Sequence, residues 1–200
     1  MRPWSRRRFV GSAAAAVCVG CGANGTPAGS GGGAAGGAVT DPPVPPGLGG
    51  MVEVGPVDEV RAALGEEPVQ YVLRARAYLA GLPDGDLDAW RAAVDPSLHP
   101  GIDAGFVALH EKCPHLGCRV PVCDSSGWFE CACHGARFTR LGEHRDGPGD
   151  RGMDLFPVVV EDGVVSIDTG GIVRGVAIGQ VLADLPPDGP HCVDAGDPDQ

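Results

Sequence analysis

The sequence predicts a mainly β domain of short strands joined by turns, and three observations carry that prediction. Its 200 residues include 33 Gly and 19 Pro but only 5% aromatic residues, a composition that deprives a helical bundle of core side chains and suits turns. The apolar residues past the middle of the chain come in runs of strand length, at 106–109, 155–161 and 164–168. Between the last two runs stands Asp162-Gly163, a pair that tolerates the positive φ angles of a tight hairpin.

Taken in order, residues 51–54 alternate apolar and polar and read as a first strand. Residues 57–64 form a short helix, with Asp58 and Glu59 in the first turn where the helix dipole favours acids, and Gly65 stops it. A second strand follows at 69–73, and residues 77–79 continue the sheet or begin a helical turn. Residues 86–94 are helix formers with an acidic start, ended by Pro96. The run 106–109 is a buried strand that delivers the chain to Cys113. Trp128-Phe129-Glu130 and Arg137-Phe138-Thr139 are strands entering and leaving a second loop, and the hairpin around Asp162-Gly163 closes the core.

The N-terminus reads as an address. Ser5-Arg6-Arg7-Arg8-Phe9-Val10 has the twin-arginine pattern, and the apolar run at 10–20 is shorter than the roughly 20 residues needed to cross a bilayer. Residues 1–21 are therefore an export signal. Val19-Gly20-Cys21 resembles the end of a lipoprotein signal, which makes Cys21 the candidate for lipidation; Cys18 stands where Leu is usual, and ordinary cleavage or an uncleaved anchor are the alternatives. Residues 22–50, rich in Gly, Ala and then Pro, have too little to bury and read as a tether, leaving 51–200 as the one domain. The expected location is the outer face of the cytoplasmic membrane, with attachment through the N-terminus. A formal net charge of -11, with four Arg and no acid in the first twenty residues, excludes nucleic-acid binding as the function of the rest.

Chemistry concentrates in two segments, Cys113-Pro-His115-Leu-Gly-Cys118 and Cys131-Ala-Cys133-His134-Gly135. Each supplies two Cys and one His. A Cys2His2 zinc site would use four of these six residues and leave two thiols beside the ligand loops without a purpose. The paired pattern Cys-X-His-X-Gly-Cys and Cys-X-Cys-His-Gly resembles the Rieske iron–sulfur family, closest to the disulfide-containing Rieske subunits of cytochrome bc-type quinol oxidoreductases. The resemblance implies a fold of small antiparallel sheets with a cluster-binding subdomain, here about residues 106–152, carrying the two metal loops. It implies one [2Fe-2S] cluster per chain, with Cys113 and Cys131 on one iron and His115 and His134 on the other, and a disulfide between Cys118 and Cys133. It makes His134 the residue that meets quinol.

The same resemblance exposes two departures. High-potential members carry Ser and Tyr hydroxyls next to the second motif; Ala136 and Phe138 stand there, so the expected potential is low within the Rieske range, as suits a donor such as menaquinol. In the loop that covers the cluster, 146–152, Gly149-Asp150 replaces the more usual Ala-Pro and predicts a looser cover.

The implied function is one-electron transfer outside the membrane, as the iron–sulfur subunit of a quinol:cytochrome c oxidoreductase with a cytochrome b-type subunit, a cytochrome c-type acceptor and quinol as partners. The chain is then an electron-transfer subunit rather than a self-sufficient enzyme. The alternatives are the Rieske small subunit of an arsenite oxidase-like molybdenum enzyme and a zinc-binding structural lipoprotein. Cys123 and Cys192 are left over; in an oxidising compartment they pair with each other or remain free thiols. His99 and His144 read as solvated side chains, His110 as exposed with a supporting role beside the ligand loop as the alternative, and His191 beside Cys192 as no metal ligand on its own.

Overall fold

The computed structural model describes residues 48–83 and 85–196; the twin-arginine pattern, Cys21 and residues 22–47 lie outside them. In chain order the elements are β1 (Met51–Pro56), α1 (Val57–Glu66), β2 (Val69–Val72), β3 (Ala77–Gly81), α2 (Leu87–Ala93), α3 (His99–Asp103), β4 (Phe106–His110), β5 (Phe129–Glu130), β6 (Arg137–Phe138), β7 (His144–Asp146), β8 (Leu155–Phe156), β9 (Val158–Glu161) and β10 (Val164–Asp168). They form three small antiparallel sheets, ordered β1-β10-β9, β2-β3-β4-β8 and β5-β6-β7. No helix among the described residues is long and apolar enough to cross a membrane.

The middle sheet separates two cores because its side chains alternate between its faces. Leu79, Phe106 and Ala108 join Val60 and Leu64 of α1 and Val165 and Ile167 of β10 on one side. Tyr78, Ala80, Val107 and Leu109 join Phe129, Phe138, Leu141 and Met153 on the other, beneath the loops that carry the cysteines. β9 and β10 turn through Asp162 (φ 49°) and Gly163 (φ 76°), the two successive positive φ angles that match the twist of a hairpin.

Local details differ from the sequence reading for identifiable reasons. Helix α1 continues through Gly65 because the Glu67 N–H closes on the Ala63 carbonyl at 2.9 Å. The segment 77–79 is strand β3, entered from a 3-10 turn at Leu73–Ala75 that ends on Arg76 with φ 51°. The run 155–161 is two strands in two different sheets. Pro157, having no N–H, interrupts the ladder, and its carbonyl accepts from Asp168 N at 2.9 Å.

After β10 the described chain forms no further strand or helix, yet several of its backbone N–H groups are taken up by three acids earlier in the chain, two buried and one half-buried. Gly175 N donates to Asp154 at 3.1 Å, Ala183 N to Glu143 at 3.2 Å, and Cys192 N and Val193 N to Glu130 at 2.7 and 2.8 Å. Glu130 and Glu143 are 1% and 0% exposed, so these bonds satisfy carboxylates that would otherwise be buried at a large cost.

Candidate metal centre

Two loops with one backbone geometry bring the Cys and His side chains together. In the first, Cys113 N donates to Cys118 O (2.7 Å) and Gly117 N returns to Cys113 O (2.8 Å); in the second, Cys131 N donates to Ala136 O (2.8 Å) and Gly135 N returns to Cys131 O (2.9 Å). Gly117 (φ 78°) and Gly135 (φ 79°) supply the left-handed residue that each turn requires, which explains the Gly at the same offset in both motifs. The first loop leaves β4 and is braced by Val120 N on Glu111 O, whereas the second is closed by the β5–β6 pair Glu130↔Arg137.

The thiols of Cys113 and Cys131 are free and buried, 3% and 2% exposed. The rings of His115 and His134 lie edge to face with centroids 5.0 Å apart; His115 is half-buried and His134 exposed. Cys118 and Cys133 are joined by a disulfide across the two loops, Cα atoms 6.7 Å apart, and the sulfurs of Cys118, Cys131 and Cys133 fall within 4.8 Å of one another. Leu116, at the tip of the first loop, is 69% exposed.

This donor set fits a metal cluster. Burial and the neighbouring Cys131 push the Cys113 thiol up to about 11, although the backbone N–H groups of His115 and Leu116 point at its sulfur and favour the thiolate. A buried sulfur provided with N–H donors but too desolvated to ionise by itself is a site that gains from a cation. Two buried sulfurs and two imidazoles on matched loops are a donor set of the mixed kind that a [2Fe-2S] centre can use.

The surroundings are more tightly built than the sequence predicts. Glu111, 2% exposed, accepts from Tyr71 Oη at 2.7 Å and Arg76 Nε at 2.8 Å and pairs with Arg119 Nε at 3.1 Å; the Arg119 guanidinium lies 4.7 Å over the Tyr71 ring. Burial opposes the charge on Glu111, and these hydrogen bonds and cations outweigh it, holding the carboxyl below its usual range. His110, read as exposed, is 8% exposed against Phe156, and its Nε2 has no hydrogen-bond partner among the described residues. His144, read as solvated, is 7% exposed; it packs edge-on to Phe138 and its Nε2 meets Gly147 O at 3.1 Å. Burial lowers both histidines from their ordinary value. The burial of His110 comes from Phe156, distant in sequence, and that of His144 from Phe138 and the 147–149 loop.

The loop 146–152 is pinned at both ends. His144 holds Gly147, while Arg151 binds Asp154 with Nε and Nη2 (2.8 and 2.9 Å) and reaches Asp150 at 2.8 Å. Ala136 and Phe138 are both fully buried, and neither side chain carries a hydroxyl. Cys123 and Cys192 form a second disulfide, Cα atoms 5.8 Å apart, and His191 pairs with Glu130 at 2.7 Å. The anchoring by Glu130, Glu143 and Asp154 went unseen in the sequence, because the backbone groups they hold lie about twenty to sixty positions further along the chain.

Residues 80–157 match the Rieske [2Fe-2S] domain family. Among curated relatives, the cyanelle cytochrome b6-f complex iron-sulfur subunit 2 of Cyanophora paradoxa is 44% identical over 61 residues, covering 30% of this chain and 25% of the relative. The cytochrome b6-f complex iron-sulfur subunit 2 of Trichormus variabilis is 32% identical over 94 residues, covering 47% and 49%. The chain thus spans between a quarter and a half of the length of these relatives. The cyanobacterial plasma membrane Rieske protein of Synechocystis PCC 6803 aligns in structure with a TM-score of 0.38 at 20% identity, covering 58% of this chain and 97% of that one.

Proposed function

Since residues 80–157 are a Rieske [2Fe-2S] domain whose cofactor is a Rieske-type cluster, we propose that this protein carries single electrons as the iron–sulfur subunit of a quinol:cytochrome oxidoreductase of the bc or b6-f type. The observation that carries the reading is the pairing of two buried free thiols and two facing imidazoles under the Cys118–Cys133 disulfide. When bound, the cluster takes up and passes on one electron. Cys113, Cys131, His115 and His134 are the residues that hold it, and the disulfide keeps their two loops at a fixed separation. His134, exposed at the surface, is where a quinol hydroxyl would hydrogen-bond and lose its proton.

Similarity to the cytochrome b6-f iron-sulfur subunits supports a membrane cytochrome b-type partner and a cytochrome c-type or related acceptor. Export by the twin-arginine signal and attachment through the N-terminus, at Cys21 or by an uncleaved signal, would place the domain on the outer face of the cytoplasmic membrane. The test is the full chain purified from its membranes. A rhombic EPR signal of low average g on reduction, with a b-type cytochrome in the same complex, is expected. Zinc in place of iron, or co-purification with a molybdenum subunit, overturns the assignment. Mass spectrometry of the mature N-terminus decides how the protein is attached.

A further inference from the structure

Three turns, not two, share the geometry of the ligand loops. In the middle one Cys123 N donates to Trp128 O at 2.7 Å and Gly127 N returns to Cys123 O at 2.9 Å, with Gly127 at φ 69°. Ser126 N points at the Cys123 sulfur at 3.5 Å, as backbone N–H groups do at Cys113. This third turn offers its cysteine in the place where the others offer a cluster ligand, and Cys192 occupies it.

From that anchor the C-terminal segment is held residue by residue. Asp188 N donates to Ser126 O at 2.9 Å and Ser125 Oγ to Pro190 O at 2.6 Å. Glu130 grips His191, Cys192 and Val193, and Arg137 donates to Val193 O through Nε at 3.0 Å and through Nη2. The segment then reaches the second ligand loop, where Gly196 N lies 3.4 Å from Gly135 O.

Here the contacts are between backbones. A Cβ on Gly196 would collide with the His134 carbonyl and stand 3.3 Å from Pro148 Cδ; one on Gly135 would collide with Asp194 O and Gly196; one on Gly147 would collide with the Gly135 carbonyl. The His134–Gly135 peptide is therefore packed between the C-terminal segment and the cover loop, with no side chain intervening.

We propose that residues 186–196 are a strap, fastened by the Cys123–Cys192 bond and by Glu130, that positions the His134 loop and presses the cover loop against it. The identity of the metal at His134 rests on the electron-transfer reading, but the strap itself does not. Gly149-Asp150 makes the cover loop intrinsically freer than Ala-Pro would, and the strap supplies the restraint from outside, through Pro148.

The full chain is compared with a chain ending at Val193, which keeps the disulfide and every described Glu130 bond and, among the described residues, loses the contacts of 194–196 with Gly135, His134 and Pro148. Hydrogen exchange by mass spectrometry is expected to quicken by about tenfold in peptides spanning 134–136 and 147–149 and to stay unchanged in β1, β9 and β10. The midpoint potential and g values of the cluster are expected to shift with it, which a merely stabilising tail would not cause. Cys192→Ser is expected to extend the faster exchange to 186–193. Unchanged exchange in both loops and an unchanged potential in the shortened chain overturn the proposal. A preparation carrying zinc ends the electron-transfer reading and leaves the exchange comparison to decide the strap.

Discussion

The hydroxyl of Tyr71 donates to the carboxylate of Glu111 at 2.7 Å, linking an edge strand of the middle sheet to the residue two places before the first candidate ligand. Burial, then the hydrogen bond and charge of Glu111, push Tyr71 up to about 12, and burial likewise raises Tyr78, the only other tyrosine. An alkaline absorbance titration should therefore show no phenolate at the ordinary value of about 10, and Tyr71→Phe should remove the component near 12. The same substitution should cost about 1 kcal/mol in urea unfolding, and Glu111→Ala about 2 to 3 kcal/mol because three donors lose their acceptor. A phenol titrating normally would contradict this arrangement.

The two disulfides should fail in different ways. Cys118–Cys133 spans 15 residues and Cys123–Cys192 spans 69, which by loop-closure entropy correspond to about 3 and about 4 kcal/mol. Unfolding in urea should be destabilised more by Cys123→Ser with Cys192→Ser than by Cys118→Ser with Cys133→Ser. Loss of visible cluster absorbance on storage should follow the reverse order, since only the shorter link joins the ligand loops directly. Equal rates of cluster loss in the two double variants would refute that division.

Ala136 is fully buried and directly follows the second loop. Ala136→Ser should place a hydroxyl near the cluster sulfurs and favour the electron-rich reduced form. One hydrogen bond of about 1 kcal/mol corresponds to about 40 mV for one electron, so the midpoint potential should rise by that order. A fall, or no change with the cluster intact, would mean that the hydroxyl does not reach a sulfur.

Stability should decline on mild acidification through His110 and His144. Burial depresses both, against raising contributions from Asp154 and Glu111 on His110 and from Gly147 and Asp146 on His144. The unfolded chain takes up protons near its ordinary pKa of about 6.5 while the folded chain refuses them. Their contribution is therefore complete above about 6.5 and is lost as pH falls toward the native values, by about 1.4 kcal/mol per pH unit for each histidine. Urea midpoints measured between about pH 7 and pH 5 should show this slope, and His110→Leu should reduce it by one histidine's share. An identical slope in the variant would remove His110 from the account.

Much of this arrangement was legible wherever local chemistry decides structure. The alternation at 51–54, the Asp162-Gly163 turn and the run at 106–109 each correspond to an observed strand or hairpin, because turn residues and apolar spacing act over a few positions. The six Cys and His of the two motifs fall on two matching loops for the same reason: a Gly four residues after each leading Cys sets the turn. What escaped depends on partners far along the chain. Glu130 binds residues more than sixty positions away, Glu143 about forty, and neither acid differs in the sequence from a solvated one. His110 and His144 are buried by elements from elsewhere, and the division of 155–161 at Pro157 reflects a choice between two sheets that periodicity does not encode.

The position of Cys192 also has a consequence for biosynthesis. Cys131 and His134 leave the ribosome some 60 residues before the segment that holds their loop, a lag of several seconds at about 5–20 residues per second. During that interval Glu130 has none of its C-terminal donors and Cys123 has no partner, so the nascent loops remain open to a cluster donor. Arrival of residues 188–193 then lets Glu130 close on its donors around whatever has been inserted, and the Cys123–Cys192 bond, which forms only under oxidising conditions, fastens that arrangement afterwards.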